Sequence, residues 1–483
     1  MSDSKGAYPW KIYLYGILMN SAGIVFGYTI AQFNNFFIFF MEGHYDKVST
    51  SEYNKIKSLL NTFFNTGGFI CCLTSSILMK KFGRKPLFIV FGIINIILNF
   101  IQVWGPIELL YAYRFCIGYI VCFYTILCTV SVSESLPMKY SAPINASFYF
   151  FIASGVQIAL LMKFDWTRKY YYLVLWLPII IELLRMILYF IFLNTETPRY
   201  VFLDSKKRKA SSNNEMNEEL IQEDTQKSIE SKFAGDSRMK KYLKVFYEES
   251  NHIETVSQFT EEFTLQSKNT KKGQSPLKIA FSKTYLKQTM IGLLLNFMNQ
   301  LSGINVVVFY SSNVFKTLGF QNPGLLTIIV GLFNVLGGFI NMFISNRFGR
   351  KRLLGTGMFS ISICYLIIMF ADCFKFKILI PVGMCLFMLS FATSLGGILY
   401  VYQVEILPGE VIPLISNSQW VFTLLISYFT LDIINLMSIY GVYTMFFFIN
   451  FIAWFLFEGY AVETNGKTLS TVANDFLKKR FWN

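Results

Sequence analysis

The sequence predicts an all-α membrane protein: twelve transmembrane helices in two pseudo-symmetric six-helix bundles, with cytosolic helices between the halves. Three observations carry this. Of 483 residues, 54% are hydrophobic and only 15% charged, against about 25% charged in a soluble domain. Apolar runs long enough to cross ~30 Å of hydrocarbon recur twelve times along the chain. The motifs that end those runs recur at a nearly constant offset.

The runs fall at about 12–38, 58–79, 87–104, 109–132, 144–162, 170–193, 286–310, 324–345, 353–371, 378–403, 414–433 and 441–461. The longest polar interruption, 194–285, holds 16 Lys and Arg and 14 Asp and Glu in 92 residues, so it is a solvated insert, with 210–217 its flexible part. Four regions follow: a bundle at 1–193, a cytosolic linker with short helices at 194–285, a second bundle at 286–462 and a cytosolic tail at 463–483. The polar N-terminus and long first run lack a cleavage pattern, so the first span is expected to be retained.

Counting Lys and Arg in alternate connections sets the orientation. With the N-terminus inside, the cytosolic segments carry 31 and the outer ones 9; without the long linker the ratio is still 15 to 9. Both termini are expected in the cytosol. The net charge of +14 is then a topological signal, and nucleic acid is excluded as a partner because so little solvated surface remains.

The repeat is explicit. Phe82-Gly83-Arg84-Lys85 follows the second run and Phe348-Gly349-Arg350-Lys351 the eighth, 266 residues later. Glu134-x-x-Pro137 and Glu405-x-x-Pro408 are 271 apart, and Glu196-Thr197 and Glu463-Thr464 are 267 apart. A duplicated six-span unit predicts a substrate cavity at the midplane between two halves, the architecture of alternating access. In the turns, Gly permits a sharp reversal and the cations pair with carboxylates at neighbouring helix ends. Arg84, Arg350, Glu134, Glu405, Glu196, Arg199 and Glu463 are therefore expected to form a cytosolic latch that closes in one state and opens in the other.

Enzymatic constellations are absent. The two histidines, His44 and His252, lie in polar stretches, and the eight cysteines, Cys71, Cys72, Cys116, Cys122, Cys128, Cys364, Cys373 and Cys385, sit mostly inside apolar runs with no C-x-x-C spacing. They read as small core residues; neither metal nor cofactor is expected. The one glycosylation sequon, Asn145-Ala146-Ser147, falls at the cytosolic start of the fifth run.

Over essentially its whole length the chain resembles a sugar porter of the major facilitator superfamily. The residues carrying the match are Phe26-Gly27-Tyr28, the two Gly-Arg-Lys turns, Arg114-Phe115, Glu196-Thr197-Pro198-Arg199-Tyr200, the run from Asn299 to Asn305 (NQLSGIN) and Val462 to Leu469 (VETNGKTL). The NQLSGIN run is the most specific; Val462 and Asn465 depart from a terminal pattern that normally has Pro and Lys there. The run also makes chemical sense alone. A neutral sugar offers hydroxyls that donate and accept, and an amide supplies both functions without charge. Ser302-Gly303 can loosen the helix so that Gln300 and Asn305 both turn inward.

The resemblance implies sugar contacts at Gln300, Asn305 and Asn334, with Asn299 where a second Gln is usual. It places the fifth-span Gln on Tyr149, the tenth-span Trp on Tyr400 and an eleventh-span amide on Thr423, beside Gln419 and Trp420. An aromatic at Tyr400 or Tyr149 keeps stacking on a pyranose available. Tyr310 matches an outer gate, and Gly396-Gly397 forms a tenth-span hinge without the family's prolines. Proton-coupled members carry Asp where this chain has Thr29, with Arg114 retained, so the resemblance implies facilitated uniport of a hexose such as glucose. The alternative is a proton-coupled sugar or polyol symporter with Glu182, beside Arg185, as a relocated proton site. The latch arginines expected after each Glu-x-x-Pro fall on Ser141 and Ile412. A non-transporting sugar receptor is the third reading, and the short tail argues against it. Expected partners are a small-molecule sugar and the lipid bilayer, with the chain acting as a monomer, in the plasma membrane by family precedent.

Overall fold

The computed structural model describes residues 7–44, 50–104, 107–162, 171–212, 231, 233–269, 275–345, 347–408, 411–467 and 469–480, with backbone only at parts of these, including 34–44 and 427–436. Ten helical stretches are long and apolar enough to cross a membrane, and two shorter apolar helices, Leu379–Thr393 and Leu414–Ile426, complete the twelve. Their outward faces are apolar, with Ile77, Ile97, Ile191, Phe343, Phe370 and Phe448 among the large exposed side chains. Amides such as Asn20, Gln32, Asn95, Asn99 and Gln102 are turned inward and buried. This inversion of the soluble pattern is what a hydrocarbon solvent selects.

Glycine sets the closest helix approaches. A Cβ at Gly27 would strike the Ile152 carbonyl and one at Gly155 the Ile24 carbonyl, so the first and fifth spans touch backbone to backbone. Gly67 against Phe115 and Gly118 against Phe64 repeat the arrangement between the second and fourth spans. Where lipid tails are as apolar as side chains, such small-residue packing replaces the hydrophobic drive.

Each half has its own core. The halves meet along two antiparallel seams, the fifth span (Met138–Leu161) against the eighth (Pro323–Ile344) and the second (Thr50–Phe82) against the eleventh. Three spans are broken: the first at Ser21, the seventh at Ser302-Gly303 and the tenth between Thr393 and Leu399. The eleventh and twelfth spans, expected as two helices, run as one element, Ile412–Tyr460. No Pro or Gly stands between 414 and 440 to stop it. Its ends nonetheless meet at one side of the bundle, because Glu405 and Glu463, just outside them, both bond Arg350. The chain therefore reverses within that element.

The linker contributes Pro198–Ser212, Ser237–Phe246, His252–Asn269 and Pro276–Ala280. Phe202, Phe233, Met239, Tyr242, Phe246, Phe259 and Phe263 are buried in the N-terminal core. Tyr242 donates to the Ser135 carbonyl, and the chain start is tied down by Tyr8 N donating to Phe246 O at 2.9 Å. Ile279 and Ala280 belong instead to the C-terminal core. Of 210–217, residues 213–217 lie outside the described residues.

Candidate functional site

The seventh-span run builds a hydrogen-bonded amide cluster at the break. Gly303 sits at φ +89°, the conformation that favours glycine, and the Tyr365 hydroxyl donates to the buried Ser302 carbonyl at 2.5 Å. The kink brings Asn305 back over Gln300, so Asn305 Nδ2 donates to Gln300 Oε1 at 3.1 Å. Gln300 Nε2 donates in turn to Asn299 Oδ1 at 2.9 Å, and Asn299 Nδ2 is anchored on the Leu395 carbonyl at 3.1 Å. The loosening expected at Ser302-Gly303 is thus what lets both amides face one way.

The fifth and eighth spans supply a second polar contact. The Tyr149 hydroxyl donates to Asn334 Oδ1 at 3.0 Å, a bond that crosses between the halves. Tyr149's ring lies against Gly396, where a Cβ would come within 2.6 Å, and Gly397 is packed against Asn341. The two glycines expected to form a hinge are therefore sites of close contact. Tyr400 donates its hydroxyl to Gln419 Oε1 at 2.6 Å. Thr423 turns its hydroxyl back to the Gln419 carbonyl at 2.8 Å. Trp420 lies away from the amides: its ring is 2.5 Å from where a Gly68 Cβ would sit, and it faces the Cys72 and Cys122 thiols of the other half. Those two sulfurs are 3.5 Å apart. The side chain of Tyr310 lies outside the described residues, as does that of His44.

At the coupling position Thr29 is buried, and its hydroxyl closes on the Val25 carbonyl at 2.7 Å. Arg114 is buried between the rings of Phe33 and Phe64, 4.0 and 4.4 Å from their centroids, and donates to Asn61 Oδ1 at 3.2 Å. Among the described residues no carboxylate forms an ion pair with it. Glu182 is buried elsewhere, inside the N-terminal bundle. It takes Arg185 at 2.6 Å, the Tyr124 hydroxyl at 2.9 Å and Asn95 Nδ2 at 3.3 Å. The third, fourth and sixth spans supply these groups.

The Gly-Arg-Lys turns and their carboxylates are duplicated contact by contact. Arg84 pairs with Glu134 at 2.7 Å and Arg350 with Glu405 at 3.2 Å. The backbone N–H of Arg84 donates to Glu196 at 3.0 Å, and that of Arg350 to Glu463 at 2.7 Å. The Thr197 hydroxyl donates to Glu134 at 3.0 Å, and that of Thr464 to Glu405 at 2.6 Å. Arg199, half-exposed, stands 3.9 Å from Glu134. Only Gly83 has a positive φ, +83°; Gly349 is extended and is needed because a side chain there would strike the Glu463 carboxylate. Burial pushes Glu196 above the ordinary carboxylate pKa, against the lowering effect of the N–H groups that bond it. The Arg84 and Arg199 pairs to Glu134 join the N-terminal half to the adjoining linker helix, and the Arg350 and Lys351 pairs close within the C-terminal half. Ser141 is buried and Ile412 packs on the C-terminal core, so neither supplies a pair.

A family model described as "Sugar (and other) transporter" matches residues 16–256 and again 236–476, so the duplication extends to the family signature. Sugar transport protein MST7 of Oryza sativa subsp. japonica is 24% identical, covering 91% of this chain and 86% of its own length. The solute carrier family 2, facilitated glucose transporter member 2 of Sus scrofa is 22% identical over 87% of this chain and 77% of its own. Among solved structures, the proton:xylose symporter XylE bound to 6-bromo-6-deoxy-D-glucose gives a TM-score of 0.75 at 19% identity, covering 97% of this chain and 99% of that one. The inward open conformation of XylE from E. coli gives 0.68 at 19% identity, covering 96% and 99%. With the same fold, a doubled family signature and the duplicated motifs in place, this chain belongs to the sugar (and other) transporter family, the sugar porters of the major facilitator superfamily.

Proposed function

We propose that the chain carries a hexose such as glucose across a membrane by facilitated diffusion, the two halves rocking about the amide cluster. Membership of the family makes it a sugar carrier and not an enzyme. The uniport mode rests on one observation: the coupling position holds no acid. Thr29 is closed on its own helix and Arg114 is stabilised by two phenyl rings and an amide. Glu182 gives weaker support to symport, because its carboxylate is held by three donors within one half, none of them from the amide cluster.

In this reading Gln300, Asn305 and Asn334 hold sugar hydroxyls, Asn299 anchors them, and Tyr149 and Tyr400 flank the ring. Tyr310 closes the outer side, and Gly396-Gly397 lets the tenth span bend. The Arg84 and Arg350 clusters clamp helix ends so that each half moves as a body. The chain works as a monomer in the plasma membrane with both termini in the cytosol. The test is reconstitution into sugar-free proteoliposomes carrying a trapped pH dye, with net uptake of radiolabelled glucose down its gradient. Saturable uptake without lumenal acidification is the expected result. Proton entry stoichiometric with sugar and abolished by Glu182→Gln overturns uniport in favour of symport.

A further inference from the structure

The sulfurs of Cys72 in the second span and Cys122 in the fourth stand 3.5 Å apart, and both side chains are buried. They meet beside the tightest approach of the two helices, where Gly67 abuts the Phe115 carbonyl and Gly118 that of Phe64. Backbones held this close let rotation of the two side chains bring the sulfurs to the about 2 Å of a disulfide. The pair also faces the seam between the halves. Cys72 lies one helical turn after Gly68, and the Trp420 ring of the eleventh span rests on Gly68, against the cluster that holds both cysteines. Because the second and eleventh spans form one of the two seams, parting the halves takes the indole off the thiols. We infer that Cys72 and Cys122 are a disulfide-forming site, oxidised by a hydroperoxide when Trp420 withdraws, and that the bridge slows the carrier. The timing rests on the rocking proposed above; the thiol pair stands without it.

The chemistry balances with the peroxide as oxidant. Cys72, nearest the indole, reacts first: its sulfur attacks the peroxide, the O–O bond breaks, and a sulfenic acid and an alcohol form, or water when the oxidant is hydrogen peroxide. The Cys122 sulfur then attacks the sulfenic sulfur. The S–S bond forms, the S–O bond breaks, and the hydroxyl leaves as water with the thiol proton. Two thiols give up two electrons and the peroxide takes them; a reducing dithiol reverses the step. Closing the bridge draws the sulfurs together by more than an ångström beneath the seat of the indole, so Trp420 no longer closes on the surface it fits when the thiols are reduced. Cys71, also buried near Cys122, is the rival partner that the experiment must separate.

Purified protein in detergent is treated with hydrogen peroxide, the remaining thiols are blocked, and the bridge is located by peptide mass spectrometry before and after reduction. Wild type is expected to gain a Cys72–Cys122 bridge, and Trp420→Ala to gain it about fivefold faster, since oxidation follows access. In sugar-free proteoliposomes the same treatment should at least halve glucose uptake, with recovery on dithiothreitol, whereas Cys122→Ser should keep its own untreated rate. Should Cys122→Ser fail to fold, Cys72→Ala serves the same purpose. No bridge in either wild type or Trp420→Ala, or a bridge through Cys71 in place of Cys72, overturns the site. Equal bridging rates in wild type and Trp420→Ala overturn the cover by Trp420, and unchanged uptake in the bridged protein overturns the regulatory effect. Absence of glucose uptake before treatment overturns the transport reading and the regulatory effect with it, while the bridge is judged by mass alone.

Discussion

Removing Glu134 should cost more than removing its repeat partner Glu405, although the two sit in clusters of the same connectivity. The Glu134 side chain is 5% exposed and that of Glu405 25%. In Glu134→Ala, the Arg84 guanidinium keeps the Met79 carbonyl at 3.0 Å and the Tyr200 ring at 5.5 Å, neither of them an anion that bonds it, and faces Arg199, whose shared counter-ion is gone. Breaking a buried pair from one side costs about 3 kcal/mol or more, because a charge is left without its partner. In Glu405→Ala, Arg350 retains Asn465 Oδ1 at 2.6 Å as well as the Ser345 carbonyl at 3.1 Å. Discounted for solvent access, that loss should be about 1.5 kcal/mol. A difference of ~1.5 to 2 kcal/mol corresponds to roughly 3–8 °C in Tm for a unit of about 200 residues. Thermal melts of the purified protein in one detergent, followed by size-exclusion chromatography, measure it; Glu134→Gln should fall between wild type and Glu134→Ala. Equal losses, or a larger loss for Glu405→Ala, refute the argument that burial and the Asn465 substitute govern the two clusters.

Gly118→Ala should cost about 3 kcal/mol, the upper end for overpacking, because the added methyl meets the Phe64 backbone and no side chain can move aside; a Tm within 2 °C of wild type counts against it. Glu196, held above its ordinary pKa by burial, disfavours the folded state when ionised. The Tm gap between wild type and Glu196→Gln should therefore shift in favour of wild type as pH falls from neutral through the folded pKa, and a shift the other way contradicts it. Trp420→Ala should uncover the Cys72 and Cys122 thiols and raise their labelling rate by a membrane-permeant maleimide several-fold; an unchanged rate rules out Trp420 as their cover.

The repeat was readable because three motif pairs keep one offset, and the amide cluster because NQLSGIN puts two amides on either side of a glycine. Partner choice was not readable. An offset says that Arg84 and Arg350 are equivalent, and it is silent on whether each meets a carboxylate of its own half; burial and the backbone N–H bonds at Glu196 and Glu463 decide that. Thr423 and Gln419 are four residues apart on one helix face, so spacing alone cannot separate them, whereas the side-chain bonds do. The same holds for Trp420, whose aromatic character suited the sugar but whose direction is set by the gap at Gly68. The reversal between the last two spans was readable from the gap between the runs at 414–433 and 441–461, although no Pro or Gly stands between 414 and 440 to mark a turn.

The self-contained clamps bear on kinetics. If each cluster opened to let the halves tilt, raising ionic strength would screen the partly exposed pairs and speed reorientation. Since the pairs of the Arg84 cluster close within the N-terminal half and its adjoining linker helix, and those of the Arg350 cluster within the C-terminal half, a rigid tilt of one half against the other pulls none of them apart. What separates instead is uncharged: the Tyr149–Asn334 bond and the indole of Trp420 beside Gly68. The turnover of this carrier should then be indifferent to salt and sensitive to temperature, as the parting of apolar and neutral polar surfaces is.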